Sequence, residues 1–141
     1  MFRVSRVFIG ACVLSVAMLA VFTAHAQTSG GTPAARAIKN PVKSTPASIT
    51  AGAAAYKKYC AFCHGVGGKG DGPLAPKDSD PADLTDDAWD HGSTDGEIFT
   101  IIANGNGPNS KMVAFKAKMP EQDLWHIVNF LRSIGPKGAP R

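Results

Sequence analysis

The chain has 141 residues, 44% of them hydrophobic and 18% charged, and once a leader is set aside it is long enough for one small domain. Its formal net charge is +4, falling to +2 without the first 26 residues. That balance is too close to neutral for a nucleic-acid partner.

The leader comes first. Arg3 and Arg6 form a positive start, residues 7–22 are an apolar run of 16, and Ala24-His25-Ala26 has the A-x-A form of a cleavage site. This predicts a secretory signal peptide over residues 1–26. The other reading, a retained anchor, needs ~20 apolar residues to span a bilayer, more than the run supplies. Cys12 does not read as a lipidation site, because ten residues of largely apolar sequence follow it. Residues 27–47 contain Gly30-Gly31, Pro33, Pro41 and Pro46 and almost nothing bulky. They read as a flexible extended tail, which leaves residues 48–141 as the folded domain.

A first helix is predicted from Ser48, as N-cap, to about Phe62, with Ile49, Gly52, Ala53 and Tyr56 at helical spacing. It ends in Cys60-Ala61-Phe62-Cys63-His64, and C-x-x-C-H is the attachment signature of a c-type haem. Two thiols three positions apart reach two vinyl groups of one porphyrin edge from a single turn, and the next residue supplies an imidazole to the iron. A thioredoxin-type redox pair expects a βαβ context that the surroundings lack. A structural zinc site needs four ligands, and His91 and His126 are not spaced as a ligand pair. With Cys12 removed, no cysteine remains for a structural disulfide. So short a domain needs a staple for its modest core, and haem supplies one.

The run Gly65-Val66-Gly67-Gly68-Lys69-Gly70-Asp71-Gly72-Pro73 has no preceding strand and no G-K-[ST], so it is not a phosphate loop. It reads as backbone wrapping closely around a bulky cofactor. Thr94-Asp95-Gly96-Glu97 has the form of a capping box and opens a second helix that stops at Asn104-Gly105. A third begins with Pro120 at its first position. It buries Leu124, Ile127, Val128, Leu131 and Ile134 and stops at Gly135-Pro136. Trp125 and Phe130 read as packing groups, and His126 as a boundary residue. No stretch alternates as a strand would, so the fold class is all-α.

In this order of elements the chain, over residues 48–135, resembles a small bacterial class I cytochrome c: three main helices and loops wrapped around one covalently bound haem. The resemblance implies that the first and last helices cross at Gly52, Tyr56 and Phe130. It also implies that the Pro73 carbonyl accepts a hydrogen bond from the proximal histidine, His64. For the sixth iron ligand the candidates are Met112 and Met119. Ser110-Lys111-Met112-Val113-Ala114-Phe115 resembles the family's Met-Pro-x-Phe ligand segment with Val113 in place of proline, whereas Met119 sits where the family usually has leucine. Met112 is therefore the expected ligand. A thioether favours ferrous iron and raises the potential. His91 is the alternative axial ligand, and Trp89 or His91 could stand beside a haem propionate.

The reading is thus a periplasmic mono-haem electron carrier and not an enzyme. A catalytic haem wants a distal acid/base pair, and Arg132 and Arg141, the arginines of the folded part, make no such set. The alternatives are a dedicated cytochrome subunit of a periplasmic dehydrogenase or terminal oxidase, or a haem enzyme or gas-binding protein with an open axial site. The charge is segregated: residues 27–69 carry +6, residues 70–97 carry −8, and residues 98–141 carry +4. Lys57, Lys58, Lys69, Lys111, Lys116 and Lys118 flank the haem and Met112 segments, so they are expected to border the haem. The acidic run is expected on the opposite face or lower rim. This predicts a monomer without stable membrane insertion once processed, whose redox partner offers an acidic docking patch. Apolar docking through Val113 and Phe115 is the competing arrangement.

Overall fold

The computed structural model describes residues 31–136; the leader and Arg141 lie outside the described residues. Among the described residues five helices follow in order: α1 (Pro33–Ala37), α2 (Pro46–Tyr59), α3 (Ala61–His64), α4 (Asp95–Asn104) and α5 (Glu121–Ile134). Among the described residues there is no strand, and no helix is long and apolar enough to cross a membrane.

Helix α2 is capped by Thr45, not Ser48: the Thr45 side chain accepts from the Ser48 amide at 3.2 Å, and Pro46 follows at the first position, where its missing N–H costs nothing. Ser48 lies one turn inside and is buried. Its hydroxyl sits 2.8 Å from His126 Nδ1 and accepts from Asn129 Nδ2 at 2.8 Å. His126 is thus tied into a polar network between α2 and α5. The helix breaks at Cys60 (φ −112°, ψ −36°), and α3 restarts as one short turn.

The α2–α5 crossing organises the core. A Cβ on Gly52 would lie 1.9 Å from the His126 carbonyl oxygen, so only glycine permits this approach. Beside it, Tyr56 and Phe130 pack with ring centroids 5.0 Å apart. The three residues meet as the resemblance implied. On α5, Leu124, Ile127, Val128 and Leu131 are buried, and so is Trp125, stacked on Phe99 of α4 at 3.9 Å. The capping box of α4 is complete, with the Thr94 hydroxyl accepting from the Glu97 amide and the Glu97 carboxylate accepting from Thr94 N. Pro120 stands at the N-cap of α5, one place before the expected position.

Residues 31–47 differ from the expected extended tail. Thr32 caps α1 through the Ala35 amide at 3.0 Å, and Pro33 starts the helix. The segment then packs on α4 and α5. Ala35 is buried, Arg36 pairs with Glu97 at 3.2 Å, Asn40 donates to Asn129 Oδ1 at 2.9 Å, and Asn129 donates to the Val42 carbonyl. Small residues are what such a groove needs, since Gly96 leaves room for the Ala35 and Ile38 carbonyls, 2.2 and 2.5 Å from where a Cβ would be.

Candidate haem site

Cys60, Cys63 and His64 all face one cavity of about 500 Å³. Their positions are set by backbone bonds: the Cys60 carbonyl accepts from the amides of both Cys63 and His64, at 3.1 and 2.9 Å. Burial, reinforced by the neighbouring Cys63, pushes the Cys60 thiol up to about 12. Neither cysteine is in a disulfide.

The glycine-rich loop then wraps back over the motif. Gly70 N bonds the His64 carbonyl at 2.9 Å, Gly72 N the Cys63 carbonyl at 3.0 Å, and Leu74 N the Phe62 carbonyl at 2.8 Å. Gly70 has φ +76°, and a Cβ there would sit 2.1 Å from the Pro81 carbonyl oxygen, so the loop needs glycine for both conformation and space.

His64 Nδ1 lies 3.2 Å from the carbonyl of Ala82. That bond makes Nδ1–H the donor and leaves the Nε2 lone pair for a ligand. Burial lowers the imidazole pKa, and the Ala82 carbonyl opposes this only in part. Pro73, the acceptor implied by the resemblance, is exposed and does not line the cavity. Beyond the Gly70 contact with the His64 backbone, the loop completes its circuit and brings Ala82 to the His64 ring. A backbone acceptor carries no side-chain signature, so the sequence offered no signal for Ala82.

Ile98 and Ile102 from α4 and Ile127 and Leu131 from α5 supply an apolar wall, and Met112 lines the same cavity. The Met112 segment has no proline after the methionine, but it is pinned to α4 and its C-terminal turn. The Met112 carbonyl accepts from Asn106 N at 3.0 Å, Ser110 Oγ accepts from Met112 N at 3.1 Å, and Phe115 N bonds the Ile102 carbonyl at 3.0 Å. Met119 is buried in the core and is not part of the cavity wall. Trp89 and His91 do line it. Trp89 Nε1 donates to the Asp86 carbonyl, His91 Nε2 lies 2.8 Å from Asn106 Nδ2, and Asn106 Oδ1 is buried in this wall with no partner. Arg132 is engaged with Asp95 at 2.7 Å and with the Ser93 carbonyl.

The charge around the cavity differs from the expected arrangement. Asp78, Asp80, Asp83 and Asp90 line the cavity, and of the six flanking lysines only Lys111 does, paired with Asp78 at 3.0 Å. The acidic run is therefore part of the wall, because the loop that carries it must close over His64. Lys58 and Lys118 stand 4.9 Å over the rings of Tyr59 and Phe115, both cavity-lining residues. Phe115 is buried, while Phe62, Val66, Leu74 and Val113 are exposed.

Two free thiols, a neutral imidazole and a thioether on an apolar cavity fit a haem: thiols for covalent attachment, nitrogen and soft sulfur for iron, and aliphatic wall for the macrocycle. An all-helical fold carrying C-x-x-C-H on such a cavity defines a small c-type cytochrome. Residues 47–131 match the family model of cytochrome c oxidase, cbb3-type, subunit III, and the chain belongs to that family. Its members bind haem c covalently and carry electrons.

The fold is similar to a chain of the Kuenenia stuttgartiensis reducing HAO-like protein complex, with 24% identity and a TM-score of 0.63 over 70% of this chain and 50% of that one. It is also similar to cytochrome cL from Hyphomicrobium denitrificans (20% identity, TM-score 0.55, 70% of this chain and 53% of that). A third structure, cytochrome cL from Methylophaga aminisulfidivorans, gives 22% identity and a TM-score of 0.53, with 64% and 55% covered. The chain spans about half the length of each.

Proposed function

We propose that the protein is a periplasmic mono-haem electron carrier whose haem is bonded through Cys60 and Cys63 and whose iron is held by His64 and Met112. The observation that carries this is the shared cavity: both cysteines, His64 and Met112 line it, and Met119 does not. Bound there, haem c supplies an iron that changes oxidation state by one electron. The chain's part is to hold two neutral donors in place. His64 presents Nε2 because Nδ1–H is engaged by Ala82, and Met112 is held by Asn106 and Ser110. A neutral sulfur ligand stabilises the reduced state, as a carrier of elevated potential requires. The apolar wall limits solvent reorganisation as the charge changes.

Export across the inner membrane rests on the leader motif of residues 1–26. The partner is proposed to carry acidic groups that meet Lys58 and Lys118, which stand over cavity-lining rings. A second reading, a dedicated cytochrome subunit of a larger redox assembly, draws on the family description and on the exposed Phe62, Val66, Leu74 and Val113.

The attachment is tested by extraction. Protein produced with a haem-attachment system should retain haem through acid-acetone treatment, and the Cys60→Ala/Cys63→Ala double variant should release it. Release from the unaltered protein would sink the assignment.

A further inference from the structure

The segment ahead of α2 holds the part of the cavity wall that contains Met112, through a continuous chain of contacts. Gly31 packs on the backbone of His91, 3.4 Å from the His91 carbonyl oxygen to a Cβ built on the glycine. The carbonyls of Ala35 and Ile38 lie over Gly96. Between these points Arg36 Nε donates to Glu97 Oε1 at 3.2 Å. Glu97 is 1% exposed, and its other oxygen accepts from both the amide and the hydroxyl of Thr94 at 2.9 Å.

The Glu97 carboxylate also fills the space beside Gly92, where a Cβ would lie 2.3 Å from its carboxyl carbon. Residues 91–97 are therefore gripped from one side by residues 31–38. On the other side His91 meets the Asn106 amide at 2.8 Å, and Asn106 N holds the Met112 carbonyl at 3.0 Å. His91, Gly92, Asn106 and Met112 all line the cavity.

We propose that residues 31–38 form a clamp that positions the Met112 wall of the haem cavity, with Arg36 and Gly96 as positioning residues acting through Glu97, His91 and Asn106. The physical reason lies in the Met112 segment. It lacks the stiffening proline, so its position depends on hydrogen bonds to Asn106 and Ser110, and Asn106 depends on a loop with little regular structure. Local opening of such a loop is resisted by what packs behind it, and here that is the clamp. The proposal rests on Met112 as iron ligand, and the test separates the two.

The experiment measures the rate at which imidazole binds the oxidised, haem-loaded full chain, at a temperature well below melting. Arg36→Ala removes the cation and Arg36→Lys restores it. Gly96→Ala leaves a good helix former in α4 while its Cβ expels the Ala35 and Ile38 carbonyls. The clamp predicts a rise of up to about fivefold for Arg36→Ala, as fits a half-exposed ion pair. It predicts about tenfold for Gly96→Ala, the size of losing a hydrogen bond to a charged group and its packing, and a rate near the unaltered one for Arg36→Lys. A rise in one variant alone assigns the clamp to that contact. Unchanged rates in both variants overturn it, even if their melting temperatures fall, because that is what a merely structural role would give. Met112→Ala decides the ligand reading independently: its imidazole rate should exceed that of every clamp variant, and an unchanged rate there overturns Met112 as ligand whatever the clamp variants do.

Discussion

Met112 and Met119 are chemically identical and seven positions apart, yet the fold gives them different surroundings. Met119 belongs to the core. Met119→Leu conserves volume and should cost less than about 1.5 kcal/mol, whereas Met119→Ala should cost about 2–5 kcal/mol, both read by denaturant unfolding. Neither should change the potential much. Met112→Ala should instead lower the potential, within the roughly 0.8 V range that axial ligands span. The opposite pattern in a redox titration would exchange the two roles. The Cys60, Cys63 and His64 constellation was legible in the sequence because five consecutive residues carry the chemistry. Ala82 was not legible, since it contributes a carbonyl that every residue has, and its place follows only from the path of the loop after Gly70.

At the scale of elements, the α2–α5 crossing and the clamp make separate predictions. Gly52→Ala would drive a methyl group to within 1.9 Å of backbone on α5. Backbone cannot rotate away as a side chain can, so the cost should be about 3 kcal/mol or more, seen as a large fall in melting temperature. In Glu97, burial tends to raise the carboxyl pKa, but the hydrogen bonds from Thr94 and the Arg36 guanidinium outweigh it and leave the value below the ordinary 4.5. A depressed folded-state pKa means that the group contributes stability above the unfolded value and loses it as pH falls through the folded one. Stability should therefore drop below about pH 4.5, and Glu97→Gln should flatten that part of the profile. An unchanged acid limb in the variant would remove Glu97 from the account. The capping box was legible because its four residues are contiguous. The clamp was not: Ala35 and Ile38 meet Gly96 across 61 and 58 positions, and small residues that fit a groove read, in one dimension, as residues with nothing to bury.

For the whole molecule, four aspartates, Lys111 and the exposed Val113 meet around one cavity. The segregation of charge along the chain was legible, but its placement was not, because the acidic loop must close over His64 to supply the Ala82 carbonyl. Steering by the lysines that stand over Tyr59 and Phe115 should make the electron-transfer rate fall as salt shortens the screening length from ~10 Å at 0.1 M toward ~3 Å at 1 M, acting mainly on association. Lys58→Glu should slow the reaction at low salt and leave it unaltered at high salt. A rate that stays flat across the range would move docking to Phe62, Val66, Leu74 and Val113.

Whether His64 and Met112 hold the haem iron through both oxidation states can be read from the absorption spectra of the oxidised and reduced protein. A six-coordinate, low-spin spectrum is expected in both states, with a weak sulfur-to-iron charge-transfer band in the oxidised form that disappears on reduction. A high-spin, five-coordinate spectrum, or a low-spin spectrum with no such band, would contradict it.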